Sequence, residues 1–174
     1  MKKKLFLILI IISFTTLPIF SQAEDPPINF FEEGMAMTGL LCEATGFGLV
    51  VGGGAATSVS LDAALIMMKI APVFSTVGAW CTQSFMTTTS EEWKARGLQF
   101  DTSGYIADSN NAAIGTTAFT AGALLAPLIP EAGIYISLAC TAVAVIWDMF
   151  ALYGPRQEWL MEMNEAILAS GLKY

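Results

Sequence analysis

Apolar positions in this chain run in long blocks rather than alternating with polar ones, and the interruptions are few enough to name. Met35–Val51 carries one charge, Glu43, and stops at Gly52, Gly53 and Gly54. Continued helix costs about 1 kcal/mol per glycine, so a turn is expected there. Leu61–Met86 carries only Asp62 and Lys69, starts after Ser60 as an N-cap and contains Pro72, which predicts a kink. Ala112–Leu128 is uncharged and closed by Pro127 and Pro130, rings that a helix interior does not tolerate. Ala132–Tyr153 carries only Asp148, after which Gly154 and Pro155 supply a helix stop and the next start. Residues 87–111 are the main polar interruption, expected as an exposed loop holding a short helix that Ser90 caps and Gly97 ends. In residues 155–170, Trp159, Leu160, Met163, Ala166 and Ile167 share one face opposite Glu158, Glu162 and Glu165, an amphipathic helix that packs on the bundle.

The pattern predicts an all-α fold: two transmembrane helical hairpins, four apolar helices in residues 35–153, plus the C-terminal amphipathic helix. Each block is close to the roughly 20 residues that span a hydrocarbon core. A soluble four-helix bundle also has long apolar helices, but each needs a polar stripe toward water. The runs GFGLVVGG, AALIMM and IYISLACTAVAVIW offer apolar or small residues at every angle.

The N-terminus sets the expected compartment. Lys2–Lys4 precede the apolar run LFLILIIISF, and Ser21 and Ala23 place small residues three and one before a cut ahead of Glu24, the layout of a secretory signal peptide over residues 1–23. Residues 24–34, EDPPINFFEEG, then form an acidic, exposed lead. Cleavage puts residue 24 outside, and four crossings return the chain, so residues 87–111 and the C-terminal helix are also expected outside, in the periplasm of a bacterial inner membrane. Trp80, Trp147, Tyr153, Phe30 and Phe31 fall at the helix ends away from the turns, the positions of an outer aromatic belt.

Charge narrows the picture further. Only 13% of the 174 residues are charged and 55% are hydrophobic, where a soluble domain carries about 25% charged residues. Eight basic groups against fifteen acidic ones give a net charge of −7, and three of the eight sit at positions 2 to 4. Nucleic acid is excluded as a partner, because neutralising phosphates takes clustered Lys and Arg.

With the first turn centred on Ala56, Glu43 and Lys69 each stand thirteen residues from it and are expected as an intramembrane ion pair, since an unpaired charge at mid-bilayer costs at least about 2.5 to 3.5 kcal/mol. The same register separates Cys42 from Cys81 by roughly 16 Å along the helix axis, so no disulfide joins them, and with Cys140 they are expected as buried thiols. Gly48 and Gly52 form one small-xxx-small spacing and Ala118 and Gly122 another, candidate helix-packing faces within the chain or between copies.

Catalytic chemistry finds little support. The chain has no His, which removes the usual general base and the commonest metal ligand. No GxSxG elbow, HExxH or phosphate-cradling glycine loop occurs. A dyad of Lys69 with Ser75 or Ser60 lacks any further group to orient it. The expectation is a protein that is not an enzyme and uses no cofactor or metal, with membrane lipid and other membrane subunits or itself as partners. The cleavable signal, glycine-rich hairpins and external termini resemble, in architecture, the pilin-type subunits of conjugative secretion machines, here with twice the helices. That resemblance implies a structural or assembly role in a multi-subunit envelope complex. The rival expectations are a secreted pore-forming or holin-like protein and a soluble periplasmic α-helical bundle.

Overall fold

A computed structural model describes residues 30–172. The signal-peptide reading of residues 1–23 and most of the acidic lead lie outside the described residues. Those described form helices joined by short turns, with no strand among them: α1 (Phe30–Ala56), α2 (Leu61–Ala95), α3 (Ser103–Leu125), α4 (Gly133–Asp148) and α5 (Gly154–Ser170). A short 3₁₀ turn at Ala126–Leu128 follows α3, and a π-helical stretch, Met149–Tyr153, joins α4 to α5. Three helical stretches are long and apolar enough to cross a membrane: Phe31–Ala56, Leu61–Ala95 and the continuous run Gly133–Ser170.

Several boundaries differ from the sequence reading. Gly52, Gly53 and Gly54 do not turn the chain; α1 continues through them to Ala56. The turn falls at residues 57–60, where the Thr57 and Ser58 hydroxyls donate to the carbonyls of Gly54 and Ala55 at 2.7 and 3.1 Å. Packing outweighs the propensity cost at Gly53, which lies against Ala64 and Met68 of α2. Ser60 caps α2 as expected, its Oγ accepting the Ala63 N–H at 3.3 Å.

The predicted loop at 87–111 shrinks to residues 96–102, because α2 runs to Ala95 with Thr89, Ser90 and Trp93 buried. No separate helix starts at Ser90, which lies inside α2; Gly97 follows the end of α2 instead, and at φ 98° it lets Leu98 N–H reach the Trp93 carbonyl at 3.0 Å, a six-residue closure that glycine adopts without a Cβ clash. Gly154 and Pro155 do not stop the fourth block. The widened π turn just before Pro155, which has no N–H for the helical ladder, carries the chain on into α5. Glu32, expected in an exposed lead, is buried.

Helices α1 to α4 run alternately in opposite directions, with α2 packed against the other three, and α5 continues the direction of α4. Both turns lie at one end, where Leu65, Met68 and Lys69 of α2 share a cleft of about 320 Å³ with residues 127–141. At the opposite end α5 closes on α2 through a core of Phe85, Met86, Trp93, Leu98, Trp159, Leu160, Met163 and Ile167. Phe85 and Trp159 meet edge to face at 5.5 Å between ring centroids, a preferred aromatic geometry.

Between the turns and this head the bundle is inverted. Facing α2, α1 buries Ala36, Gly39, Glu43, Gly46 and Gly53, while Met37, Leu41 and Phe47 are exposed. On α2 the buried row is Ala64, Ala71, Ser75, Gly78, Ala79 and Thr82, and Ile66, Ile70, Val73, Phe74 and Val77 point outward. Small residues let backbones approach until side chains meet main chain: a Cβ built on Gly78 would stand 2.9 Å from Glu43 N and 3.0 Å from Gly39 O. Hydroxyls join the next pair of helices, Thr76 to Thr120 at 2.8 Å and Thr120 to the Pro72 carbonyl at 3.0 Å.

Candidate functional site

The buried positions of α1 step by three and four residues, the heptad spacing of helices that meet along a seam. The seam register follows from its close contacts. Gly39 faces Thr82, Gly46 faces Ser75, and Gly53 faces Met68, so every facing pair is centred near Ser60. Glu43 therefore faces Gly78, not Lys69.

This corrects the expected ion pair. Glu43 Oε1 accepts the Thr82 hydroxyl at 2.6 Å in the interior, whereas Lys69 is exposed nine residues earlier on α2 and lines the cleft at the turn end. Moving the centre of the hairpin from Ala56 to near Ser60 shifts the facing residue by twice that displacement, more than two helical turns along α2. The salt bridge recorded among the described residues is instead Arg96 with Glu92, on the surface of the head. The shift also removes the expected axial separation of Cys42 from Cys81, which come close enough to interact electrostatically, while no disulfide joins them, as expected. All three thiols are free and half-buried.

What does gather around Glu43 comes from four helical stretches. Thr82 and Ser75 come from α2, Asp148 from the end of α4, Tyr153 from the π stretch and Arg156 from the first turn of α5. Glu43, Asp148 and Arg156 are only 7%, 2% and 4% exposed, and Ser75 is fully buried. In a regular helix, residues four apart rotate by about 40° per step. The widened π turn takes up that rotation, and Asp148, Leu152 and Arg156 all remain buried.

Arg156 lies with its Cζ 5.6 Å over the Phe85 ring, a cation–π contact that supplies an aromatic face but no countercharge. Hydrogen bonding in the cluster is incomplete: Glu43 Oε2, Asp148 Oδ1 and Arg156 Nε are buried without a partner. The Ser75 hydroxyl stands within reach of the Asp148 carboxyl and can donate to it. Buried polar atoms in native proteins are overwhelmingly bonded, so open atoms on two acids and a guanidinium make this cluster the candidate site.

The predicted helix-packing residues divide. Gly122 packs on Cys140 across the α3–α4 seam, and Gly52 touches the edge of Met67. Gly48 has nothing near its missing Cβ, and Ala118 is exposed. The glycines that make the first hairpin are Gly39, Gly46, Gly53 and Gly78. The seven-residue spacing of the first three is present in the sequence beside the four-residue spacing of Gly48 and Gly52. Asp148 stood out as the one charge in its block. Nothing in the sequence linked it to Glu43 without the register of both hairpins. Among the described residues no group of three or more His, Cys, Asp or Glu is placed to hold a metal ion. No family model, no curated protein and no solved structure matches this chain.

Proposed function

We propose that the chain is an exported integral membrane protein, crossing the bilayer as two hairpins, that serves a structural or assembly role in a multi-subunit envelope complex rather than a catalytic one. The observation that carries the reading is the inverted half of the bundle. Large apolar side chains cover the outside while glycine, alanine and hydroxyl residues fill the seams. Water would drive those apolar side chains inward; in lipid, association rests on close packing and hydrogen bonds between helices, which small and hydroxyl residues provide.

Depth agrees with this setting. Glu43 stands seventeen residues before Ser60, and Asp148 seventeen after Glu131, which places both about 26 Å from the turn end, near the far edge of a hydrocarbon layer of about 30 Å. Trp80 and Trp147 are exposed near that level, as residues of an interfacial belt would be. On this reading α3, which is not among the three stretches long and apolar enough to cross by themselves, crosses because α2 and α4 flank it. The head beyond the belt projects into the periplasm, and the apolar outer surface meets lipid and other membrane subunits or further copies of this chain.

Fractionation tests the reading. The protein should stay in the inner membrane through alkaline carbonate extraction, with residues 1–23 absent by mass spectrometry. A cysteine introduced at Ser103, in a background without the native three, should react with an impermeant maleimide when only the outer membrane is permeabilised. Release to the medium would point to the pore-forming alternative, release by osmotic shock to a soluble bundle. Labelling only after inner-membrane lysis would overturn the topology.

A further inference from the structure

We propose that Glu43, Asp148 and Arg156, with the hydroxyls of Ser75 and Thr82, form a binding site for one monovalent cation, either a proton or an alkali ion, shared between the two carboxyl groups. The site depends on burial within the bundle, not on membrane insertion, so it stands or falls apart from the proposed localisation.

Charge balance is the first argument. Two carboxylates and one guanidinium, which remains protonated in proteins, sum to −1. All three groups are buried, and an uncompensated charge in such a setting is strongly destabilising. Among the described residues no other cation faces the cluster. Around Glu43 stand Cys42 on its own helix, Ser75, Cys81 and Thr82 on α2, Asp148 on α4, Tyr153 in the π stretch and Arg156 on α5. Thiols and phenols are ordinarily neutral near pH 7, and Arg156 is the one positive group among these. Lys69, nine residues from Gly78 along α2, lies about 13 Å away along the axis. One positive charge is missing, and a divalent ion would overshoot.

Donor chemistry is the second argument. The open carboxyl atoms, Glu43 Oε2 and Asp148 Oδ1, and the Ser75 hydroxyl beside Asp148 are all oxygens. An oxygen set without His or thiolate ligands suits a proton or a hard cation and not a soft transition metal. Thr82 spends its proton on Glu43 Oε1, which fixes that carboxyl and leaves Oε2 for the shared ion.

Infrared difference spectroscopy on the purified full chain in detergent, in choline buffer at neutral pH, separates this arrangement from one buried acid that is merely desolvated. Relative to the native protein, Glu43→Gln and Asp148→Asn should each lose the absorption of one protonated carboxyl, because whichever acid remains is balanced by Arg156. The double variant should also lose only one. Arg156→Gln should gain one. If sodium or potassium chloride removes the band from the native protein, the occupant is that alkali ion displacing the proton; if neither does, it is the proton. The proposal is overturned if Glu43→Gln keeps the full band, or if the native protein shows no more protonated carboxyl than the double variant. Should Glu43→Gln fail to fold, a spectrum of Arg156→Gln unchanged from the native one overturns it equally.

Discussion

The two halves of this bundle solve the packing problem in opposite ways. In the head, Phe85, Trp93, Trp159, Leu160 and Met163 are inside, while charged residues such as Lys94, Asp101, Asp108, Glu158 and Glu165 are exposed. Toward the turns, Gly46, Gly78, Ser75 and Ala71 are inside and Ile66, Val73, Phe74 and Val77 outside. The same helix, α2, runs through both: its 35 residues span about 52 Å, well beyond a hydrocarbon thickness of about 30 Å. The contrast shows that apolar content alone does not define a core. What matters is which side of the helix the large side chains occupy, and that inverts near Thr82, where the Glu43 cluster sits.

Truncating the head core should break the comparison most strongly. Trp159→Ala empties a fully buried site and is expected to cost about 3–5 kcal/mol, measured by unfolding in mild detergent. Val73→Ala, on the outward face of the inverted half, should change stability by less than about 1 kcal/mol, since that side chain loses little packing. Equal losses at both positions would mean that the halves are built alike.

A seam substitution comes next. Gly78→Val forces a side chain against the Glu43 backbone and should cost about 1–3 kcal/mol or more through overpacking. Gly48→Ala, with open space at its Cβ, should be neutral or gain up to about 1 kcal/mol of helix propensity. The reverse ranking would restore the four-residue glycine spacing as the packing face.

Cross-linking sharpens the register that separates the halves. A short bifunctional thiol reagent should join Cys42 to Cys81 within one chain and leave Cys140 unlinked, read by peptide mass. A Cys42–Cys140 link in its place would return the turn to the triple glycine.

The smallest effect is expected at the edge of the head. Asp101 Oδ1 accepts the Ser103 N–H at 3.0 Å where α3 begins, and that bond holds its carboxyl below the usual carboxylate range. Because the folded-state value is depressed, the stabilisation is fully present above the ordinary value of about 3.9 and is lost as pH falls through the lower folded value. Amide exchange in the first turn of α3 should quicken over that acid window in the native protein and show no such step in Asp101→Ala. On Tyr105 the Glu162 and Glu158 carboxylates act in the opposite direction, raising the phenol above its ordinary value.

The sequence by itself determined that the chain is helical, that it holds apolar stretches long enough to cross a membrane, that α2 starts after Ser60 and that a helix ends at Gly97, and that Glu43 and Asp148 are isolated charges in apolar surroundings. These are local properties: run length, a capping hydroxyl, a left-handed glycine. The tertiary structure decided what each residue faces. The triple glycine reads locally as a break, yet Gly53 is held in helix by the contact of α1 with α2. Moving the centre of the hairpin from Ala56 to near Ser60 parted Glu43 from Lys69, brought Cys42 to Cys81, and let a π turn far along the chain deliver Asp148 and Arg156 to Glu43. Antiparallel register doubles any error in the turn, so a site assembled across two hairpins stays hidden until both turns are fixed in space.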